Sequence, residues 1–215
     1  MGFFDFLNGS QNGLKTKTIN GRVTLVGYTK KADVPGTLFI PGSVQAIGDS
    51  ALSDTEHITK IVVPDSVSSI GEHSFSFSQA LEEVVLPDIL DGLSDAVGLF
   101  TSCKKLKTVD LPACMSRIPT MFMSHCYELE EIVIPEGVTH IFGGAFDSCE
   151  KLRKVRLPGS LKIIDVRAFW GCTSLEAVQL PEGLEMIEMD AFAECPALER
   201  PDITEGCQVD ERAFG

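Results

Sequence analysis

Apolar side chains recur along this chain in one fixed order. From Cys126 the order runs Leu129, Ile132, Ile134, Val138, Ile141 and Phe146, with Pro135 directly after the second isoleucine. The next stretch repeats it as Cys149, Leu152, Val155, Leu157, Leu161, Ile164 and Phe169. A third follows as Cys172, Leu175, Val178, Leu180, Leu184, Ile187 and Phe192. Earlier stretches keep the order more loosely: Ile58, Ile61, Val63, Val67, Ile70 and Phe75, then Leu81, Val84 and Leu86. Prolines mark the period, since Pro41, Pro64, Pro87, Pro112, Pro135, Pro158 and Pro181 stand 23, 23, 25, 23, 23 and 23 residues apart. A period of this size marks a solenoid, one short unit stacked many times.

The unit has a physical logic. Ile132 and Ile134 lie two apart, so they share one face of a short strand, which β-branched residues suit. Proline then ends the strand because it has no N–H to give a neighbouring coil. Val138 and Ile141 continue the inward side after the bend. Ala145 lets the chain turn closely and Phe146 fills the interior. Each inward apolar side chain contributes roughly 1.5–3 kcal/mol on burial, and no coil can shield them alone, so stacking supplies the stability.

The run Cys-x-x-Leu-x-x-Ile-x-Ile-Pro-x-x-Val-x-x-Ile followed by Ala-Phe, as at 126–146, resembles the BspA-type leucine-rich repeat family. The resemblance covers 37–215. It implies a leucine-rich-repeat solenoid, β-rich within the α/β class, with about eight coils of 23 residues. It also implies a curved right-handed stack with a parallel strand ladder on one face. A bacterial protein that binds proteins or other macromolecules, without catalysis, is the function it implies.

Departures from the template predict irregularities. The coil after Pro87 carries two extra residues within Asp88–Leu99, which predicts a bulge. Phe122 arrives one place early, Pro119 falls inside its turn, and Thr204 stands where the last proline is expected. Residues 1–36 lie outside the repeat. There Phe3, Phe4 and Phe6 form an apolar cluster, either buried in a cap or free as a docking tail. Thr16–Ile19 and Arg22–Tyr28 flank Asn20–Gly21, a strong hairpin signal. The expected organisation is an N-terminal cap, 1–36, on a repeat domain, 37–215.

Charge and cysteines narrow the picture. The formal net charge is −13, with residues 1–31 at +4 and the rest at −17. An acidic stack suits neither nucleic acid nor an anionic membrane, and no apolar run is long enough for a spanning helix. It would suit a basic partner or simply keep the protein soluble. The start MGFFDFLNG lacks a basic n-region, which predicts a cytoplasmic protein; the resemblance keeps a cell-surface or secreted adhesin-like protein as the alternative. Cys103, Cys126, Cys149, Cys172 and Cys195 are spaced by 23 and form one column, continued upstream by Ser78 and Thr55. Five in a column cannot pair off, which predicts reduced thiols bonding to the turn backbone. No Cys-x-x-Cys or His spacing predicts a metal, and no cofactor fingerprint is present.

Catalytic motifs are absent from the sequence, so a non-catalytic protein-binding module is expected. A minor enzymatic alternative would use Asp88, Asp91 and Asp95 in the inserted segment. Two surfaces are candidates. One is the outward strand column Val62, Val85, Asp110, Val133, Arg156, Gln179 and Asp202, with Lys60, Glu83, Thr108, Glu131, Lys154 and Ala177 beside it. The other is a late apolar patch of Ile163, Val166, Trp170, Met186 and Met189. That patch and the open last coil could seat a second copy, giving a homodimer or a self-assembling unit.

Overall fold

A computed structural model describes residues 13–29, 36–88 and 90–215; the cluster Phe3, Phe4 and Phe6 lies outside these. The elements are β1 (Leu14–Ile19), β2 (Arg22–Tyr28), β3 (Thr37–Phe39), β4 (Ala46–Ile47), β5 (Lys60–Val62), β6 (Ser69–Ile70) and β7 (Glu83–Val85). A 3-10 helix, Asp91–Asp95, follows. Then come β8 (Thr108–Val109), β9 (Arg117–Ile118), β10 (Glu131–Val133), β11 (His140–Ile141), β12 (Lys154–Arg156), β13 (Ile163–Ile164), β14 (Ala177–Val178), β15 (Met186–Ile187) and β16 (Gln208–Val209).

These elements build a solenoid of about eight turns. The first ladder is the expected one before the prolines, β3-β5-β7-β8 and then β10-β12-β14. A second parallel ladder lies beyond the prolines, β2-β4-β6 and then β9-β11-β13-β15-β16. The inward residues Ile132, Val155 and Val178 pair in register in the first, and Ile118, Ile141, Ile164 and Ile187 in the second.

The turn side is bonded as regularly as the ladders. From Ser50 to Gly171, three alternate N–H groups of each coil donate to carbonyls of the next coil. Met121, Met123 and His125 donate to Gly143, Ala145 and Asp147; Arg167, Phe169 and Gly171 donate to Met189, Ala191 and Ala193. The outer two of each trio sit at positive φ, as at Met121 (54°) and His125 (61°), which turns their N–H groups toward the neighbouring coil. Gly98 occupies such a place at φ 61°, and a side chain there would also strike the His73 ring.

The middle residue of the trio is usually phenylalanine, and the rings stack down the interior. Phe146, Phe169, Phe192 and Phe214 follow one another at 5.1, 5.1 and 5.4 Å between centroids. The early placement of Phe122 has a clear outcome. The Phe100 N–H donates to the Phe122 carbonyl, as that of Phe146 does to Ala168, so Phe122 stands in the alanine column. Met123 takes the phenylalanine place. The stack is interrupted there, and Phe122 meets Phe100 edge-on, at 84°.

The cysteine column closes the same network. The carbonyls of Phe100, Met123, Phe146 and Phe169 accept the N–H three residues on, and the thiol of the following coil adds a second donor. Cys103, Cys126, Cys149, Cys172 and Cys195 donate to Phe75, Phe100, Met123, Phe146 and Phe169 at 3.1–3.3 Å. Ser78 does the same for Leu52 at 3.2 Å, and Thr55 bonds to Ser78 at 2.8 Å. All seven cysteines are free. Burial pushes the Cys103 and Cys149 thiols up to about 12, so they stay protonated donors.

The hairpin β1–β2 turns through Asn20 and Gly21, both at positive φ. It caps by continuation: β2 pairs in parallel with β4, while Leu14 and Leu25 are buried and Tyr28 packs on the core. The expected bulge in Asp88–Leu99 is corrected. Leu90, Leu93 and Ala96 point inward and are fully buried, because the two extra residues wind into the 3-10 helix. That helix fills the strand's place in the second ladder, between β6 and β9. Gly92 sits so close to Ser69 that a Cβ would lie 3.0 Å from its Cα.

Candidate interaction surface

The first ladder presents the expected outward column. Val85, Asp110, Val133, Arg156, Gln179 and Asp202 are exposed and Val62 is half-buried. The column begins one coil earlier than the sequence reading placed it. Phe39 pairs in register with Val62, and Val62 with Val85. Phe39 is 65% exposed, the largest value among the bulky apolar side chains of the described residues. Its position, 23 residues before Val62, was the available signal. Beside this stripe run Thr37, Lys60 and Glu83, also in register, and Lys60 binds Glu83 at 2.6 Å.

The stripe ends at a seam. β8 and β10 do not pair, so the first ladder opens between them. The opening forms a groove of about 450 Å³ lined by Val109, Asp110, Leu111, Glu131, Val133 and Pro135, with Glu136 at its edge. Beyond the seam, Val133 is 55% exposed and lies in register with Arg156. Thr108, Glu131 and Lys154 edge the neighbouring part of this opening with Lys107, Glu130 and Arg153. Glu131 pairs in register with Lys154, and Lys154 with Ala177.

The late apolar patch is only partly assembled. Ile163 and Met186 are neighbours in the second ladder. Val166, Met186 and Met189 line one shallow groove with Val209 and Asp210. Trp170 does not line it. Its ring is half-buried under the Arg167 guanidinium, 4.3 Å from the ring centre, and Arg167 also binds Asp147 at 3.2 Å. Met189, 37% exposed, is touched by Arg212, whose Nη1 lies 3.4 Å from its sulfur. A continuous apolar surface through Trp170 is therefore corrected to a small groove bordered by two arginines.

Asp95 is held outward by an ion pair with Arg117, Asp88 is exposed, and neither lines these grooves. The Asp91 side chain lies outside the described residues. Among the described residues no His, Cys, Asp and Glu group is arranged to hold a metal ion, and no helix is long and apolar enough to cross a membrane.

Comparison with known proteins agrees with this geometry. The family model for the BspA type leucine rich repeat region matches in 6 copies, over residues 36–97 and 96–215. A leucine-rich repeat protein from Bacteroides ovatus superposes with a TM-score of 0.81 at 29% identity, covering 92% of this chain. This chain spans 53% of that protein's length. A leucine-rich repeat protein from T. pallidum has the same fold, with a TM-score of 0.74 at 24% identity over 87% of this chain and 88% of that one. No match is found among curated proteins. The repeated unit, its bonding and these matches agree: the chain belongs to the BspA-type leucine-rich repeat family.

Proposed function

We propose that this chain is a protein-binding module that holds its partner on the outward face of the first ladder. Repeats of this family commonly mediate protein interaction, which supports the general reading. One observation carries the specific one, the in-register stripe Phe39, Val62 and Val85 on the parallel strands β3, β5 and β7. Aromatic side chains held rigidly at a surface supply much of the binding energy at protein interfaces. The Lys60–Glu83 pair flanks the stripe with polar contacts that can set register without adding much affinity.

A photo-crosslinking amino acid placed at Phe39, with a control at the exposed Glu150, tests the reading. The partner captured from Phe39 should bind the purified parent and lose binding to Phe39→Asp/Val85→Asp, with unchanged circular dichroism. Equal capture at both positions, or unchanged affinity in the double variant, would refute it.

A second reading has its own observation. The coil of residues 195–215 leaves Ile203 38% exposed and Leu198, Val209 and Phe214 only partly buried. A second copy seated there would form a homodimer. Light scattering on the parent and on Met189→Asp/Ile203→Asp tests it: a parent dimer that becomes a folded monomer supports the reading, and a monomeric parent excludes it.

A further inference from the structure

We infer that the partner segment on the first ladder is basic: an extended stretch with an apolar side chain on Phe39 and, about four residues away, a lysine or arginine in the groove between β8 and β10. This rests on the strand-face reading above and names the chemistry of its occupant.

The groove lies where the ladder stops being a flat sheet. Val109, Leu111, Val133 and Pro135 give it apolar walls, and Asp110, Glu131 and Glu136 stand around it. Three carboxylates near this face are neutralised. Glu83 binds Lys60 at 2.6 Å, Glu82 binds Lys107 at 2.7 Å, and Glu128 binds Lys151 at 2.7 Å. Among the described residues, no cation stands within ion-pair distance of Asp110, Glu131 or Glu136. Asp110, Glu131 and Glu136 are thus left without a direct ion pair in this groove, with Lys107, Arg153 and Lys154 along the neighbouring part of the opening.

Lysine and arginine match such a site in both parts. The methylene stem lies along apolar walls while the charged head stays at the wet rim. Arginine adds two parallel hydrogen bonds to a carboxylate. An acidic or neutral segment gains the walls alone, and an anionic polymer is repelled. The overall charge of −13 acts in the same direction, steering basic partners toward the surface.

Spacing sets the register. Phe39 and Asp110 lie on the outward column three coils apart, or about 14 Å at one strand spacing per coil. An extended peptide running along the stack advances about 3.3 Å per residue, so about four residues join the two anchors.

Panning a phage library of random dodecapeptides on the full chain tests this, followed by anisotropy titration of the selected peptides. Three proteins are titrated at low and high salt: the parent, Asp110→Asn/Glu131→Gln/Glu136→Gln, and Phe39→Ser/Val85→Ser. Selected peptides should carry Lys or Arg about four positions from an aromatic or aliphatic residue. The carboxylate variant should bind them about tenfold more weakly at low salt and lose most of the salt dependence. Peptides without a basic residue, or unchanged affinity in the carboxylate variant, would overturn the basic occupant. If Phe39→Ser/Val85→Ser still abolished binding in that case, the strand-face reading would stand. Peptides indifferent to both variants, or no selection at all, would overturn both.

Discussion

Replacing Phe122 by alanine and Met123 by phenylalanine would write the Ala145–Phe146 pair of the next coil into the one irregular turn. The two positions are fixed by bonding: the Phe122 carbonyl accepts from Phe100, and the Met123 N–H donates to Ala145. Both side chains are fully buried. Phe122→Ala alone empties a buried ring and should cost about 3–5 kcal/mol. Met123→Phe alone forces a second ring beside Phe122 and should cost about 1–3 kcal/mol. Independent effects would add to about 4–8 kcal/mol. The double variant instead nearly conserves volume, so it should lie within about 1.5 kcal/mol of the parent. New stacking of the introduced ring on Phe100 and Phe146 would contribute about 0.5–1.5 kcal/mol for each contact. Urea unfolding of the four proteins, read at constant slope, gives the coupling directly. A double variant as unstable as the sum of the singles would show that the two columns are not equivalent, and would refute the register argument.

Other consequences follow from the same bonding. Cys149→Ser should be tolerated within about 1 kcal/mol because Ser78 already fills an equivalent place, whereas Cys149→Val removes the thiol bond to the Met123 carbonyl, which keeps the Cys126 N–H, and should cost about 0.5–1.5 kcal/mol in the same urea assay. Iodoacetamide on the native protein should modify the exposed Cys114 and spare Cys103, Cys126, Cys149 and Cys172, while unfolding should open all seven, as mass spectrometry can count. Folding holds the Cys103 and Cys149 thiols protonated up to about 12, above their ordinary value of 9.0. Their contribution is therefore complete below pH 9 and lost as pH climbs toward 12; a urea midpoint that fell no faster there for the parent than for Cys103→Ser/Cys149→Ser would contradict this. Gly98→Ala should destabilise more than Gly171→Ala. Both put a Cβ on left-handed backbone, at about 1–2 kcal/mol, but at Gly98 it also meets the His73 ring 2.2 Å away, against 3.5 Å to Ser148 at Gly171.

What the sequence revealed was whatever repeats with a distinctive residue. Pro, Cys and Phe marked the period, and Asn20–Gly21 marked the hairpin because few residues accept its dihedral angles. The second ladder was illegible because strands such as Ala46–Ile47 and Ser69–Ile70 are too short to show alternation. The paired left-handed turns were hidden because residues such as Ser50, Asp54, Met121 and His125 fill them where glycine would have announced them. Phe39 was as legible as the rest of its column, since it stands two residues before Pro41 as Val62 does before Pro64. Trp170 looked available because the sequence does not show that Arg167, three residues earlier, lies on its face.

The two interruptions in the ladders do not fall at the same level. The second ladder is broken at the 3-10 helix, where β5, β7 and β8 of the first run on unbroken. The first is broken between β8 and β10, where β9 and β11 of the second are joined. This is the staggered joint of a brick wall. A crack entering at either seam meets an intact course one level away and must change faces to advance. Such a stack, pulled along its length, should shed coils from its ends before it parts in the middle.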